Sequence, residues 1–216
     1  LILDLNAKNS WACGCSTAIT MKAGVVAVQG AVQEHIDMIN LAFERLGIVG
    51  CAVPVRREKD IEGIDCLIIP GGESTTISRL LRRFNLFDKI IKRGREGMPI
   101  MGTCAGCILL AKIGDEEVVK TGTELLGLME MEVDRNAFGR QRESFEADIS
   151  IRGFERPFHA VFIRAPAIRR VWGRCEALAS FKNYIAMAKQ DNLLGLAFHP
   201  ELSNDTRIHE MLIKMI

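Results

Sequence analysis

Met98-Pro-Ile-Met-Gly-Thr-Cys-Ala-Gly-Cys-Ile-Leu-Leu-Ala111 is the stretch on which the fold turns. A short apolar run passes through Gly102-Thr103-Cys104-Ala105-Gly106 and continues as a small-residue and aliphatic helix pattern through Ala111, which predicts strand, sharp turn, helix. The glycines two before and two after Cys104 allow strand and helix to approach without Cβ collisions. The turn puts Cys104 at a helix N-terminus, where unpaired N–H groups favour a thiolate over a thiol. Cys104 is therefore the candidate nucleophile, although the pentapeptide alone fits a buried cysteine packed as a small hydrophobe equally well.

Upstream, Gly24-Val-Val-Ala-Val28 is a continuous apolar run, as in a strand buried on both faces. Val32, Ile36, Ile39, Phe43 and Leu46 then recur at helical spacing, and Gly47 closes that helix. Further strands are predicted at residues 49–53 and 65–69, the latter running into Pro70-Gly71-Gly72, with helices through Leu80-Leu81 and from Phe87 to Gly94. Alternating strands and helices imply a doubly wound, mostly parallel α/β sheet with helices on both faces and ligands beyond the carboxyl ends of the strands. The second half changes texture. Short β-like runs at residues 128–134, 145–151, 158–163, 175–181, 184–188 and 193–198 predict an added antiparallel or mixed section. Ser203 is read as the cap of a last helix with Ile208, Met211, Leu212 and Met215 as its apolar stripe.

The totals describe one domain of ordinary globular material: 216 residues, 48% hydrophobic and 25% charged. With 28 basic and 27 acidic residues the net charge is +1, and no basic block marks a nucleic-acid partner. No uncharged apolar run reaches the length of about 18 residues that a membrane span requires. Seven cysteines, an odd number without a regular framework, suit a reducing cytoplasm. Cys13-Gly-Cys15 has no second pair at zinc-site spacing, so no metal is expected, and no cofactor is expected either. Cys104 and Cys107 share a redox-motif spacing, but Cys107 is read as helix packing. Residues 1–20 lack a basic n-region and carry Asp4 and Asn6. We read them as a leader that is either non-native or poorly ordered, with residues 21–216 as the single domain.

A cysteine nucleophile needs a base within reach. Of four histidines, His35, His159 and His209 are read as surface or packed residues. His199 instead follows the buried strand Leu194-Gly-Leu-Ala-Phe198. Residues i and i+2 of an extended chain share a side, so Glu201 is expected to hold the His199 imidazole in one tautomer while the other nitrogen faces the thiol. An oxyanion hole is expected from backbone N–H groups of Gly71-Gly72 and of Ala105. As a bare turn, Pro-Gly-Gly would need no such role, and Glu201 alone would be a solvated carboxylate.

Together, Pro70-Gly-Gly-Glu-Ser-Thr-Thr76, Gly102-Thr-Cys-Ala-Gly106 and His199-Pro-Glu201 resemble the triad (class I) glutamine amidotransferases, whose fold is flavodoxin-like. More narrowly, Val28-Gln-Gly-Ala31 with Glu34-His35, Arg135-Asn-x-Phe-Gly-Arg-Gln141, Ser144-Phe-Glu-Ala-Asp148 and Phe162-Ile-Arg-Ala-Pro166 resemble the glutaminase subunits of pyridoxal 5′-phosphate synthase. The resemblance covers Met21 to Ile216. It implies hydrolysis of L-glutamine to glutamate and ammonia by Cys104, His199 and Glu201, with Gly72 and Ala105 stabilising the oxyanion. It further implies that Gly72, Glu73, Ser74, Arg135, Ile163 and Arg164 bind glutamine, without saying which arginine takes the α-carboxylate. The ammonia would pass to a barrel-shaped synthase subunit in a hetero-oligomer. Other readings are the glutaminase subunit of another amidotransferase, such as that of imidazole glycerol phosphate synthesis, or a non-catalytic binding subunit. An α/β-hydrolase fits less well, because there the acid precedes the histidine.

Overall fold

The apolar runs of the first half become strands whose residues alternate between two cores. In the computed structural model, which describes residues 20–135 and 144–216, β1 (Met21–Val26), β2 (Gly50–Val55), β3 (Cys66–Ile69) and β4 (Ile100–Thr103) are parallel in the order β2-β1-β3-β4. Between them run α1 (Val32–Leu46), α2 (Ser74–Arg83) and α3 (Phe87–Arg95). Leu67 and Ile69 of β3 join a cluster with Ile77, Leu81, Phe87 and Ile90, whereas Cys66 and Ile68 join another with Ile36, Ile39 and Phe43. Because neighbouring strand residues point to opposite faces, helices cover both sides of the sheet. Gly47 ends α1 at φ 66°, donating its N–H to the carbonyls of the last turn.

Beyond α4 (Ala105–Leu110) come β5 (Ala111–Gly114), α5 (Glu116–Lys120), β6 (Met129–Asp134), β7 (Phe145–Ile149), β8 (Phe158–Phe162), β9 (Ala167–Val171), β10 (Glu176–Phe181), β11 (Tyr184–Gln190), β12 (Leu193–Leu196) and α6 (Arg207–Ile213). The sheet continues past β4 as β12-β11-β9-β6-β5, with β10 also paired to β11, while β7 and β8 form a separate ribbon. β12 runs parallel to β4; β11 is antiparallel to β12, β9 and β10, giving the mixed section expected.

Three details differ from the sequence reading. The helix after Cys104 stops at Leu110, and Ala111 opens β5. α5 and β9 were not foreseen: five helical residues are too few to establish a period, and β9 buries only Ala167 and Ile168 before Arg169 and Arg170 turn outward to Asp134 and Glu132. Ser203 does not cap the last helix, which starts after Thr206; the Ser203 hydroxyl instead donates to the Pro200 carbonyl at 2.9 Å, and Asp205 accepts the Arg207 N–H at 3.0 Å. The leader reading for residues 1–19 and the Cys13-Gly-Cys15 pair lie outside the described residues. No helix among the described residues is long and apolar enough to cross a membrane.

Candidate active site

β3, β4 and β12 are adjacent parallel strands, and their carboxyl ends deliver Pro70-Gly71-Gly72, Cys104 and His199 to one edge of the sheet. The register is direct: Thr103 pairs with Leu196, and the Cys104 N–H donates to the Leu196 carbonyl at 2.8 Å. Residue 104 sits at φ 49° and ψ −105°, a conformation that side-chain-bearing residues avoid. Such strain costs about 1–3 kcal/mol and persists where surrounding structure enforces it. Here the enforcement comes from two close approaches. A Cβ on Gly106 would lie 2.1 Å from the Ile69 carbonyl oxygen, and one on Gly102 would lie 2.5 Å from the backbone of Gly106. Only glycine at both positions lets β4, the elbow and α4 pack this tightly.

His199 leaves β12 with its N–H donated to the Val161 carbonyl at 2.8 Å, and its Nδ1 lies 2.7 Å from Glu201 Oε1. The expected pairing is present, but the extended backbone invoked for it is not: Pro200–Leu202 forms a 3₁₀ turn, which curls the carboxylate back under the imidazole. Burial opposes charge on His199, but the neighbouring Cys104 and Glu201 outweigh it, raising the imidazole from 6.5 to about 10. Burial likewise pushes Glu201 up, and His199 and His35 more than reverse it, so the carboxylate stays ionised. His199 Nε2 is buried and makes no hydrogen bond among the described residues. The thiol Sγ is 3.9 Å from the Ile163 carbonyl. Cys107 is fully buried, and desolvation raises its thiol far above the reactive range.

These groups open onto a cleft of about 610 Å³. Gly72, Glu73, Ser74, Cys104, Ala105, Arg135, Ile163, Arg164 and His199 all line it, while Glu201 sits behind His199. Gly72 has φ 152°, and a Cβ on Gly71 would lie 2.6 Å from the His199 ring and 3.3 Å from Cys104 Cβ, so the Pro-Gly-Gly turn presses directly on Cys104 and His199. Glu73 caps α2, accepting from the N–H groups of Thr75 at 3.0 Å and Thr76 at 2.6 Å. Burial alone would raise its carboxyl; the Thr76 and Thr75 donors hold it at about 2. Arg135 pairs with that carboxylate and reaches Thr75 Oγ1 at 3.1 Å, its backbone N–H held by Asp115 at 2.7 Å. Arg164, at φ 44°, has no ion pair among the described residues. Ser74 Oγ is buried without a partner among the described residues.

Gln29, Ile108, Ser144 and Pro166 also line the cleft and were not named as site residues from the sequence. Gln29 was visible within Val28-Gln-Gly-Ala31, and its Oε1 accepts the Glu73 N–H at 3.1 Å; Ile108 lies one helical turn beyond Cys104, a relation that i, i+4 spacing offers. Of the Arg135-Asn-x-Phe-Gly-Arg-Gln141 motif, residues 136–141 lie outside the described residues.

Comparison with known proteins agrees with this geometry. A pyridoxal 5′-phosphate synthase subunit PdxT of Archaeoglobus fulgidus is 54% identical over 195 residues, covering 90% of this chain and 98% of the relative. The protein of the same name from Methanocella arvoryzae is 50% identical over 196 residues, covering 91% and 98%. A crystal structure of a glutamine amidotransferase matches with a TM-score of 0.79 at 43% identity, covering 89% of this chain and 97% of that one. Residues 25–216 match the SNO glutamine amidotransferase family, and the chain belongs to it.

Proposed function

We propose that the chain hydrolyses L-glutamine through Cys104, His199 and Glu201 and supplies the ammonia to the synthase subunit of a pyridoxal 5′-phosphate synthase. The observation that carries this reading is the strained Cys104 elbow sharing one cleft with an imidazole held by Glu201 at 2.7 Å. The Cys104 thiolate attacks the side-chain amide carbon of glutamine. Backbone N–H groups of Gly72 and Ala105 take up the developing oxyanion, a contribution worth about 10²–10³ in rate per donor in comparable sites. The His199 Nε2 proton goes to the departing nitrogen, releasing ammonia and leaving a glutamyl thioester. Water deprotonated by His199 then cleaves the thioester to glutamate and free thiol.

In this reading Arg164 takes the substrate α-carboxylate, because Arg135 is already paired with Glu73. Ser74 Oγ, buried and unpartnered, supplies a hydrogen bond to glutamine. Glu73 contributes indirectly, by holding Arg135 at the wall of the cleft. Ile163 offers backbone contacts beside the thiol. The names of the relatives support the synthase partner, and the free thiols at Cys66, Cys104, Cys107 and Cys175 suit a reducing cytoplasm.

Ammonia release from glutamine, measured for the chain alone and with the synthase subunit of a relative, tests this. We expect weak release alone, stimulation by the partner, and loss of both in Cys104→Ala. Equal rates with and without the partner would rule out the coupling, and no release in either condition would rule out the glutaminase reading.

A further inference from the structure

The face that α1 turns to the core is apolar except at His35, which is fully buried. Against it lies His209 of α6, equally buried, with its Nε2 3.2 Å from His35 Nδ1. The other His35 nitrogen, Nε2, is 3.2 Å from Thr103 Oγ1 and 3.3 Å from Glu201 Oε2. The contacts thus run from α6 through α1 to the carboxylate that holds His199, and to the residue immediately before Cys104. Burying two imidazoles is costly unless their N–H groups find acceptors, so a purely space-filling role would be served better by aliphatic side chains.

The protons can be assigned. Burial lowers both histidines, with Glu201 opposing this at His35, so each ring is neutral and carries one N–H. A proton on His35 Nδ1 would point at His209 Nε2 and leave the His35 Nε2 lone pair facing a carboxylate oxygen. It would also force the His209 proton onto Nδ1, which has no partner among the described residues. The opposite assignment lets the His35 Nε2–H donate to Thr103 Oγ1, with Glu201 Oε2 3.3 Å away in electrostatic contact rather than in a hydrogen bond. It lets His209 Nε2–H donate to His35 Nδ1 and strands only a lone pair, which is less costly than a stranded buried N–H.

We propose that His35 is a positioning residue for the amidase reaction: its Nε2–H, held in that tautomer by His209, donates to the Thr103 hydroxyl and sets its positive end 3.3 Å from the outer oxygen of Glu201, which steadies that carboxylate electrostatically. Glu201 Oε1 then stays on His199 Nδ1, and His199 Nε2 remains available to Cys104. The role rests on the glutaminase reading given above.

The test compares the full chain with His35→Leu and His35→Gln, each assayed for glutamine hydrolysis with the synthase subunit present. Loss of an outer partner of a functional histidine typically costs about 10- to 100-fold. We expect that loss in kcat for His35→Leu, with KM little changed. His35→Gln, whose side-chain N–H reaches the same acceptors, should recover most of it. Wild-type turnover in His35→Leu, or equal losses in both variants, would overturn the proposal; a residue serving packing alone would move Tm without this split. An inactive wild-type chain would count against the glutaminase reading instead. NMR of isotope-labelled histidine in the wild-type chain decides the matter even if a variant fails to fold or the assay is silent: Nε2–H on both His35 and His209 supports the role, and Nδ1–H on His35 overturns it.

Discussion

Arg164 and Arg135 line the same cleft, yet their surroundings differ. Arg135 is tied to Glu73, Thr75 and Asp115, whereas Arg164 is exposed and carries no ion pair among the described residues. A hydrogen-bonded charge pair is worth about 1.5–3 kcal/mol, so Arg164→Ala should raise KM for glutamine by about 10- to 100-fold with a smaller change in kcat. Arg135→Ala should chiefly lower stability, since Glu73 loses its counter-charge. Steady-state kinetics and thermal melts of both variants check this, and a KM effect confined to Arg135→Ala would reverse the assignment. Cys104, His199 and Glu201 were legible as residues because a glycine-flanked cysteine and a strand-end His-Pro-Glu are local patterns. The 3₁₀ turn that joins the last two was not legible, since a proline between two polar residues permits extended and turned backbone alike. His35 was read as surface or packed; only its distance to Glu201, contributed by an element far along the chain, reveals more.

Among the elements, the β4–α4 elbow is built with little tolerance. The Cβ that Gly106→Ala adds would meet the Ile69 carbonyl oxygen at 2.1 Å, and that oxygen belongs to β3 and cannot swing aside. Overpacking of this kind costs about 1–3 kcal/mol, and a rigid backbone neighbour puts this site at the upper end. Gly63→Ala is the control: nothing among the described residues lies within 4 Å of its added Cβ, and its effect should stay within about 0.5 kcal/mol. Urea unfolding of the two variants checks the contrast. The elbow was readable because glycine spacing records a close approach directly. By comparison β9 and α5 escaped notice because their stability comes from partners, β9 between β6 and β11, and α5 through the Asp115 cap that accepts the Val118 N–H at 3.0 Å.

For the molecule as a whole, the buried histidines couple stability to pH in opposite directions. His35 and His209 are lowered by burial below the 6.5 of an unfolded chain. Below that pH the unfolded state binds more protons than the folded one, so their contribution is full above 6.5 and is lost as pH falls. Each contributes a slope of up to about 1.4 kcal/mol per pH unit. His199, raised to about 10, works the other way: its contribution is full below 6.5 and is lost as pH rises through about 10. Urea midpoints between pH 7 and pH 5 should therefore fall for the wild-type chain and fall less for His209→Leu; parallel curves would contradict the assignment. The sequence by itself determined the alternation of strands and helices, the glycine-flanked elbow and the residues proposed as the triad, because periodicity, glycine spacing and turn residues act over a few neighbouring positions. Only the tertiary structure decided that β12 lies beside β4, that Arg135 rather than Arg164 is already paired, and that α1 and α6 bring His35 and His209 behind Glu201. Those pairings join residues far apart in the chain, and they are selected by register and burial summed over the whole sheet, which no local pattern encodes.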